Sequence, residues 1–194
     1  GSIHAYAWNR YDTERTFMGR KLYRPGTGLG NSKEPDRPTR EDVEYITASQ
    51  LAYGLPMHLN ANYFYSKDDE HYNPLQSSYH YRDKDLWAHY EPVKNLLPRA
   101  GWEPVTHAVV STPKTVCERF GNAPPYYFTL WNENTPGEST RITIDLKKLG
   151  LSASHQHLRE IAWNTPLRRV HIDSRSVLHA ELDLRGNRTA VLRL

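Results

Sequence analysis

PPYYFTLWNEN, residues 124–134, packs four aromatic side chains, Tyr126, Tyr127, Phe128 and Trp131, into six positions behind two prolines. Such a run serves either a flat ligand or the interior of a sheet, and strand alternation separates the two uses. In an extended strand Tyr126, Phe128 and Leu130 point one way, and Tyr127, Thr129 and Trp131 point the other. The first set is the core face of a scaffold strand. Tyr127 and Trp131 are four residues apart, about 13 Å at strand rise, and are the only members that could form a platform. Covered from outside, they make a scaffold strand, with Trp131 as the contact between two parts of the chain.

The same two-residue period runs through the sequence on either side. In TRITIDL, Ile142, Ile144 and Leu146 alternate with Thr143 and Asp145. VLHAELDL and RTAVLRL alternate likewise, and RGN between them reads as a tight hairpin. Strands are expected near 105–110, 126–132, 139–145, 158–163, 168–172, 177–184 and 188–194. About seven short strands with turns every 8–12 residues indicate an antiparallel β-sandwich over residues 103–194.

Before residue 103 the chain changes character. RPGTGLGNSKEPDRP, residues 24–38, is a loop by composition. TREDVEYITASQLAYGLP reads as a helix. Thr39 is its N-cap and Glu41 suits the positive end of the dipole. Val43, Ile46 and Gln50 share one side, Tyr45, Ala48 and Ala52 lie beside it, and Gly54 stops the helix ahead of Pro56. PMHLNANYFY, 56–65, reads as a strand and the loop leaving it, and 66–85 as a long polar loop. Leu86, Tyr90, Val93 and Leu97 have helical spacing, with Pro92 forcing a new first turn. The fold class is therefore α+β.

Composition narrows the function classes. The 194 residues carry a net charge of +3 and 38 % apolar residues, and 11 % of them are aromatic, which excludes a disordered chain. Basic residues are spread without a run, so no nucleic-acid partner is expected, and no apolar run is long enough for a membrane partner. Cys117 is the single cysteine, which rules out an internal disulfide and a cysteine metal motif. Export stays open, with a secreted or periplasmic location among the alternatives.

YYFTLWNENTPGESTRITIDLKKLGL and HAELDLRGNRTAVLRL resemble the all-β domain that ends many TIM-barrel glycoside hydrolases. The first resembles an aromatic strand, Asn, turn, strand and Leu-Gly-Leu block; the second resembles a final hairpin. The resemblance implies an Ig-like sandwich at 103–194 and a barrel-end-like α/β segment at 1–102. AYAWNRYD then corresponds to a late barrel strand, the 39–53 helix to an outer helix, and GLPMHLNANYF to the last strand. At most two of a barrel's eight units fit, so the resemblance also implies the rest of a longer polypeptide or another chain as partner.

In a barrel, chemistry lies at the C-terminal ends of strands. That carries substrate-binding roles to Trp8, Arg10 and Tyr11, and a catalytic carboxylate to Asp12 or Glu14. Glycoside hydrolysis uses two carboxylates roughly 5–9.5 Å apart, and no second one is identifiable by spacing. Asn60, Asn62 and Tyr63 follow the last strand and suit sugar hydroxyls and a sugar's apolar face. Solvated loop residues are the alternative for all eight. Asp68, Asp69 and Glu70 lack calcium-loop spacing. His71, His80 and His89 recur at a spacing that suits no ligand set, and His155 and His157 lack a third ligand. No metal and no cofactor are expected. Gly26, Gly28 and Gly30 precede a loop rather than a helix, which excludes a phosphate cradle. A carbohydrate substrate is the expected partner; the alternative is a non-catalytic carbohydrate-binding or structural interaction module.

Overall fold

A computed structural model of the chain describes residues 40–54, 84–132, 137–154 and 157–194. Helix α1 spans Arg40–Ala52, α2 Lys84–Tyr90 and α3 Leu96–Ala100. The strands are β1 (Trp102–Glu103), β2 (Ala108–Val110), β3 (Thr115–Phe120), β4 (Tyr127–Asn132), β5 (Glu138–Asp145), β6 (Arg159–Glu160), β7 (Arg168–Ile172), β8 (Val177–Leu184) and β9 (Thr189–Arg193). They form two sheets, in the orders β1-β3-β4-β9-β6 and β2-β5-β8-β7. Every pairing is antiparallel. AYAWNRYD and LPMHLNANYF, which the barrel resemblance assigns to strands, lie outside the described residues.

The inner core follows from the alternation. Phe128, Leu130, Ala190 and Leu192 of the five-stranded sheet meet Ile142, Ile144, Leu178, Ala180 and Leu182 of the other, all at most 5 % exposed. Residue by residue these are the inward sides of β4, β9, β5 and β8, so the two sheets pack face to face as a sandwich. The turn after β5 closes one end of it. Leu149 and Leu151 turn back on Leu146 through backbone bonds, and the Tyr126 hydroxyl donates to the Leu149 carbonyl at 2.8 Å.

β4 is buried along its whole length, so its outer side must be covered as well. The cover is the helical layer. Trp131 is fully buried against Tyr45, Ala48, Ala52 and Tyr53, with its ring edge-on to both tyrosines. Tyr127, Phe120 and Val191 pack with Leu51, Leu86, Tyr90, Val93 and Leu97. The four residues that set the helical spacing of 86–97 all point into this layer, α2 and α3 meeting at a turn that contains Pro92. The Thr129 hydroxyl donates to the Ala52 carbonyl and the Thr189 hydroxyl to the Ala48 carbonyl, both at 2.6 Å. The first takes up a carbonyl at the C-terminal end of α1 that has no partner inside the helix, and the second adds a donor to a carbonyl one turn earlier. Arg40 forks onto Asp85 at 2.8 and 2.6 Å, tying α1 to α2, and this hydrogen-bonded pairing holds the Asp85 carboxyl down at about 2.

Three expectations are corrected. RGN is no hairpin: β8 lies in one sheet and β9 in the other, so residues 185–188 arch between the sheets. Both strands still bury alternate side chains, and an arch leaves that alternation intact, as a hairpin would. β3 is an additional strand; Cys117, Glu118 and Arg119 interrupt its apolar pattern, and it pairs with β4 from Thr115↔Asn132 to Phe120↔Tyr127. The strand expected at 158–163 shrinks to Arg159–Glu160 because the chain bends after Glu160.

Gly54 ends α1 at φ +64°, with its N–H donating to the Leu51 carbonyl at 2.9 Å. A Cβ there would sit 2.2 Å from Cε1 of Phe120. Left-handed backbone and overpacking then act together, so Gly54→Ala costs about 2–4 kcal/mol. Urea denaturation measures it, and Phe120→Leu in the same chain should recover part of the loss. A cost below about 0.5 kcal/mol, the range of an unconstrained surface position, contradicts the packing of α1 on β3.

Candidate functional site

The residues that the sequence nominates, Trp8, Arg10, Tyr11, Asp12, Glu14, Asn60, Asn62 and Tyr63, all lie outside the described residues, as do Asp68, Asp69, Glu70, His71, His80 and His155. Within the described residues the polar chemistry gathers at three places: the bend after β6, the open end of the five-stranded sheet, and the outer face of the four-stranded sheet.

The bend is built by Glu160. Its side chain is buried, and its two oxygens accept four backbone N–H groups. Oε1 takes Ala162 at 2.9 Å and Val191 at 3.1 Å; Oε2 takes Trp163 at 2.8 Å and Thr165 at 2.9 Å. A buried carboxylate is tolerated only when its lone pairs are occupied in this way. The result is a chain segment pinned at both ends, with the Trp163 indole held over the helical layer. Its Nε1 donates to the Thr189 carbonyl at 3.1 Å.

Trp163 borders a groove of about 440 Å³ together with His89, Asp183, Arg185 and Arg188. An aromatic beside a groove invites a sugar-stacking role, but the ring is already occupied. The His89 imidazole stacks at 4.0 Å between centroids, and the Arg188 guanidinium lies 4.1 Å from the same centroid. Two groups that close to one ring cannot share a face, so both faces of the indole are covered. Tyr90 meets its edge at 5.2 Å.

At the open end of the five-stranded sheet, beyond the helical cover, a depression of about 570 Å³ lies between Pro124, Pro125, His157, Arg159 and Arg193. Arg159 and Arg193 face each other across β6 and β9.

The outer face of the four-stranded sheet is a charge network. Arg168 reaches Asp183 at 2.6 Å and Glu181 at 3.4 Å, and Arg169 reaches Glu181 at 3.0 Å. The His171 and His179 rings stack at 4.7 Å, and His179 Nε2 lies 3.2 Å from Asp173 Oδ2. The Val177 N–H donating to Asp173 holds that carboxyl below the usual range, with the His179 contact adding to the effect. Among the described residues no group of three or more His, Cys, Asp or Glu is placed to hold a metal ion. Desolvation pushes the Cys117 thiol up to about 12. No described helix is long and apolar enough to cross a membrane.

One of these features left a trace in the sequence. Glu160 is an acid set between Leu158 and Ile161-Ala162, the signature of a buried charge that needs donors. Arg159 and Arg193 left none, because only the register of β6 on β9 brings them together. Compared with family models, with curated proteins and with solved structures, the chain has no match.

Glu160→Gln keeps the shape but replaces one acceptor oxygen with a donor that faces two N–H groups. Stability should fall by about 2–4 kcal/mol, the cost of leaving buried N–H groups without an acceptor. Thermal denaturation followed by circular dichroism reads the loss; an unchanged midpoint contradicts the four-donor arrangement.

Proposed function

We propose that this chain is the C-terminal portion of a glycoside hydrolase-like protein acting on glycosidic bonds. In it, residues 103–194 are an Ig-like sandwich that serves as scaffold, and residues 1–102 are the barrel-end-like α/β segment that carries substrate-binding loops. The observation that carries this reading is the burial of the outer side of β4. Tyr127, Thr129 and Trp131 are spent on seating helices from the preceding segment, with Trp131 fully buried. A sandwich used in this way holds an adjoining α/β body in place rather than presenting a face to a ligand.

Two further points support it. The first of the blocks that carry the resemblance falls on coherent structure: YFTLWN on β4, ESTRITID on β5, and LKKLGL on the turn that closes the core. A free-standing glycan-binding sandwich would also want exposed aromatics on one face. Among the described residues the exposed large apolar side chains are Val105, Val109 and Val170, while the described phenylalanines and tyrosines are at least partly buried.

On this reading Asp12 or Glu14 acts as one carboxylate of the catalytic pair, and its partner comes from the rest of the enzyme. Trp8, Arg10, Tyr11, Asn60, Asn62 and Tyr63 line the sugar site. Joined to its preceding sequence, the protein should hydrolyse members of a panel of aryl glycosides. Asp12→Asn or Glu14→Gln should lower kcat by at least about 100-fold, the scale of a lost general acid or base. Hydrolysis unaffected by both substitutions, or no hydrolysis of any member, contradicts the proposal.

A further inference from the structure

One row of side chains crosses the outer face of the five-stranded sheet from edge to edge. In register it reads Trp102, Phe120, Tyr127, Arg193, Arg159. Phe120 and Tyr127 lie under the helical layer, with Trp102 packed beside them. Past Tyr127 the cover ends, and the row finishes on two exposed arginines directly opposite each other on β9 and β6.

That placement is unfavourable unless something answers it. Directly opposed residues of an antiparallel pair stand with Cβ atoms about 4.5–5.5 Å apart, and like charges so placed destabilise the sheet. Elsewhere in the molecule paired arginines have carboxylates: Arg168 and Arg169 meet Glu181 and Asp183, and Arg40 meets Asp85. Arg159 and Arg193 have no acidic partner among the described residues. His157 joins them in the same depression of about 570 Å³, whose described lining includes no Asp or Glu.

The roots of the two side chains are held firmly. Leu194 exchanges two backbone hydrogen bonds with Tyr126 at 3.1 and 2.9 Å, and the Ile161 N–H donates to Val191 at 2.8 Å. Pro124, Pro125, Ile161 and Leu194 make the remaining walls. Two planar guanidinium forks rising from neighbouring strands can each offer paired N–H donors to one multi-oxygen anion.

We propose that Arg159, Arg193 and His157 form a binding site for a tetrahedral oxyanion, the phosphate or sulfate group of a small ligand. The site uses none of the nominated sugar-binding residues, and it stands whether or not the chain cleaves glycosidic bonds.

Calorimetric titration of the whole protein at low ionic strength tests it, with inorganic phosphate, inorganic sulfate and acetate as probes. Saturable 1:1 binding of phosphate or sulfate is expected, and the preferred anion tells which ester the site takes. Acetate should bind at least tenfold more weakly. Arg159→Gln and Arg193→Gln should each weaken binding at least tenfold, while Lys147→Gln, an exposed cation on the turn after β5, leaves it unchanged. Both arginines are exposed, so the variants should fold, and matching circular dichroism spectra confirm that the loss is local. The proposal is overturned by acetate binding as tightly as phosphate, by equal weakening in the Lys147 variant, or by the absence of saturable binding.

Discussion

The structure depends on one strand that has no wet side. β4 buries all six of its residues, so the ordinary division of a sandwich strand into core face and solvent face does not apply to it. Its inner side, with Phe128 and Leu130, fills the space between the sheets. Its outer side, with Tyr127, Thr129 and Trp131, requires a second layer, and α1 with α2 and α3 supplies that layer. Hydrogen bonds also tie this outer side to the helical layer. Thr129 and Thr189 donate to carbonyls of α1, and the Thr189 N–H donates to the buried Tyr90 hydroxyl at 3.2 Å. Because those donors and acceptors have no water to fall back on, the helices and the sheet specify each other's position.

Everything along the five-stranded sheet is arranged by where this cover stops. Under it, the outer row is aromatic and dry. At its margin, Glu160 gathers four N–H groups and fixes the bend that carries Trp163, whose faces are filled by His89 and Arg188. Beyond it, the same row that began with Trp102 ends in the exposed pair Arg193 and Arg159. Ordering by the edge of the helical layer places the aromatic groups out of a ligand's reach and leaves the guanidinium groups within it.

Much of this was legible in the sequence. The two faces of 126–131 follow from alternation alone, and so does the contact of Trp131 with the preceding part of the chain. α1 stops where Gly54 requires it, and Leu86, Tyr90, Val93 and Leu97 all turn inward as their spacing indicates. What escaped depends on long-range geometry. Alternation says that β8 and β9 each bury one face but not whether the turn between them stays in one sheet or arches to the other. β3 hides because Glu118 faces outward to accept the Trp102 indole N–H at 2.6 Å, while Arg119 meets Glu103 across β1. The opposed arginines are 34 positions apart in sequence and become neighbours only through register. The stretches that suggested sugar chemistry are rich in Trp, Tyr, Asn and Asp, and they lie outside the described residues.

If the outer side of β4 binds the helical layer as tightly as its burial implies, the helices and the sheet open as one unit. Native-state hydrogen exchange measures this directly. Backbone amides of Leu51 and Ala52 in α1 should be protected to the same free energy as those of Leu130 and Val191 in the sheet, and urea should lower both along one line. α1 amides that open several kcal/mol below the sheet, with a separate urea dependence, would show that the sandwich stands without its cover and would contradict the account.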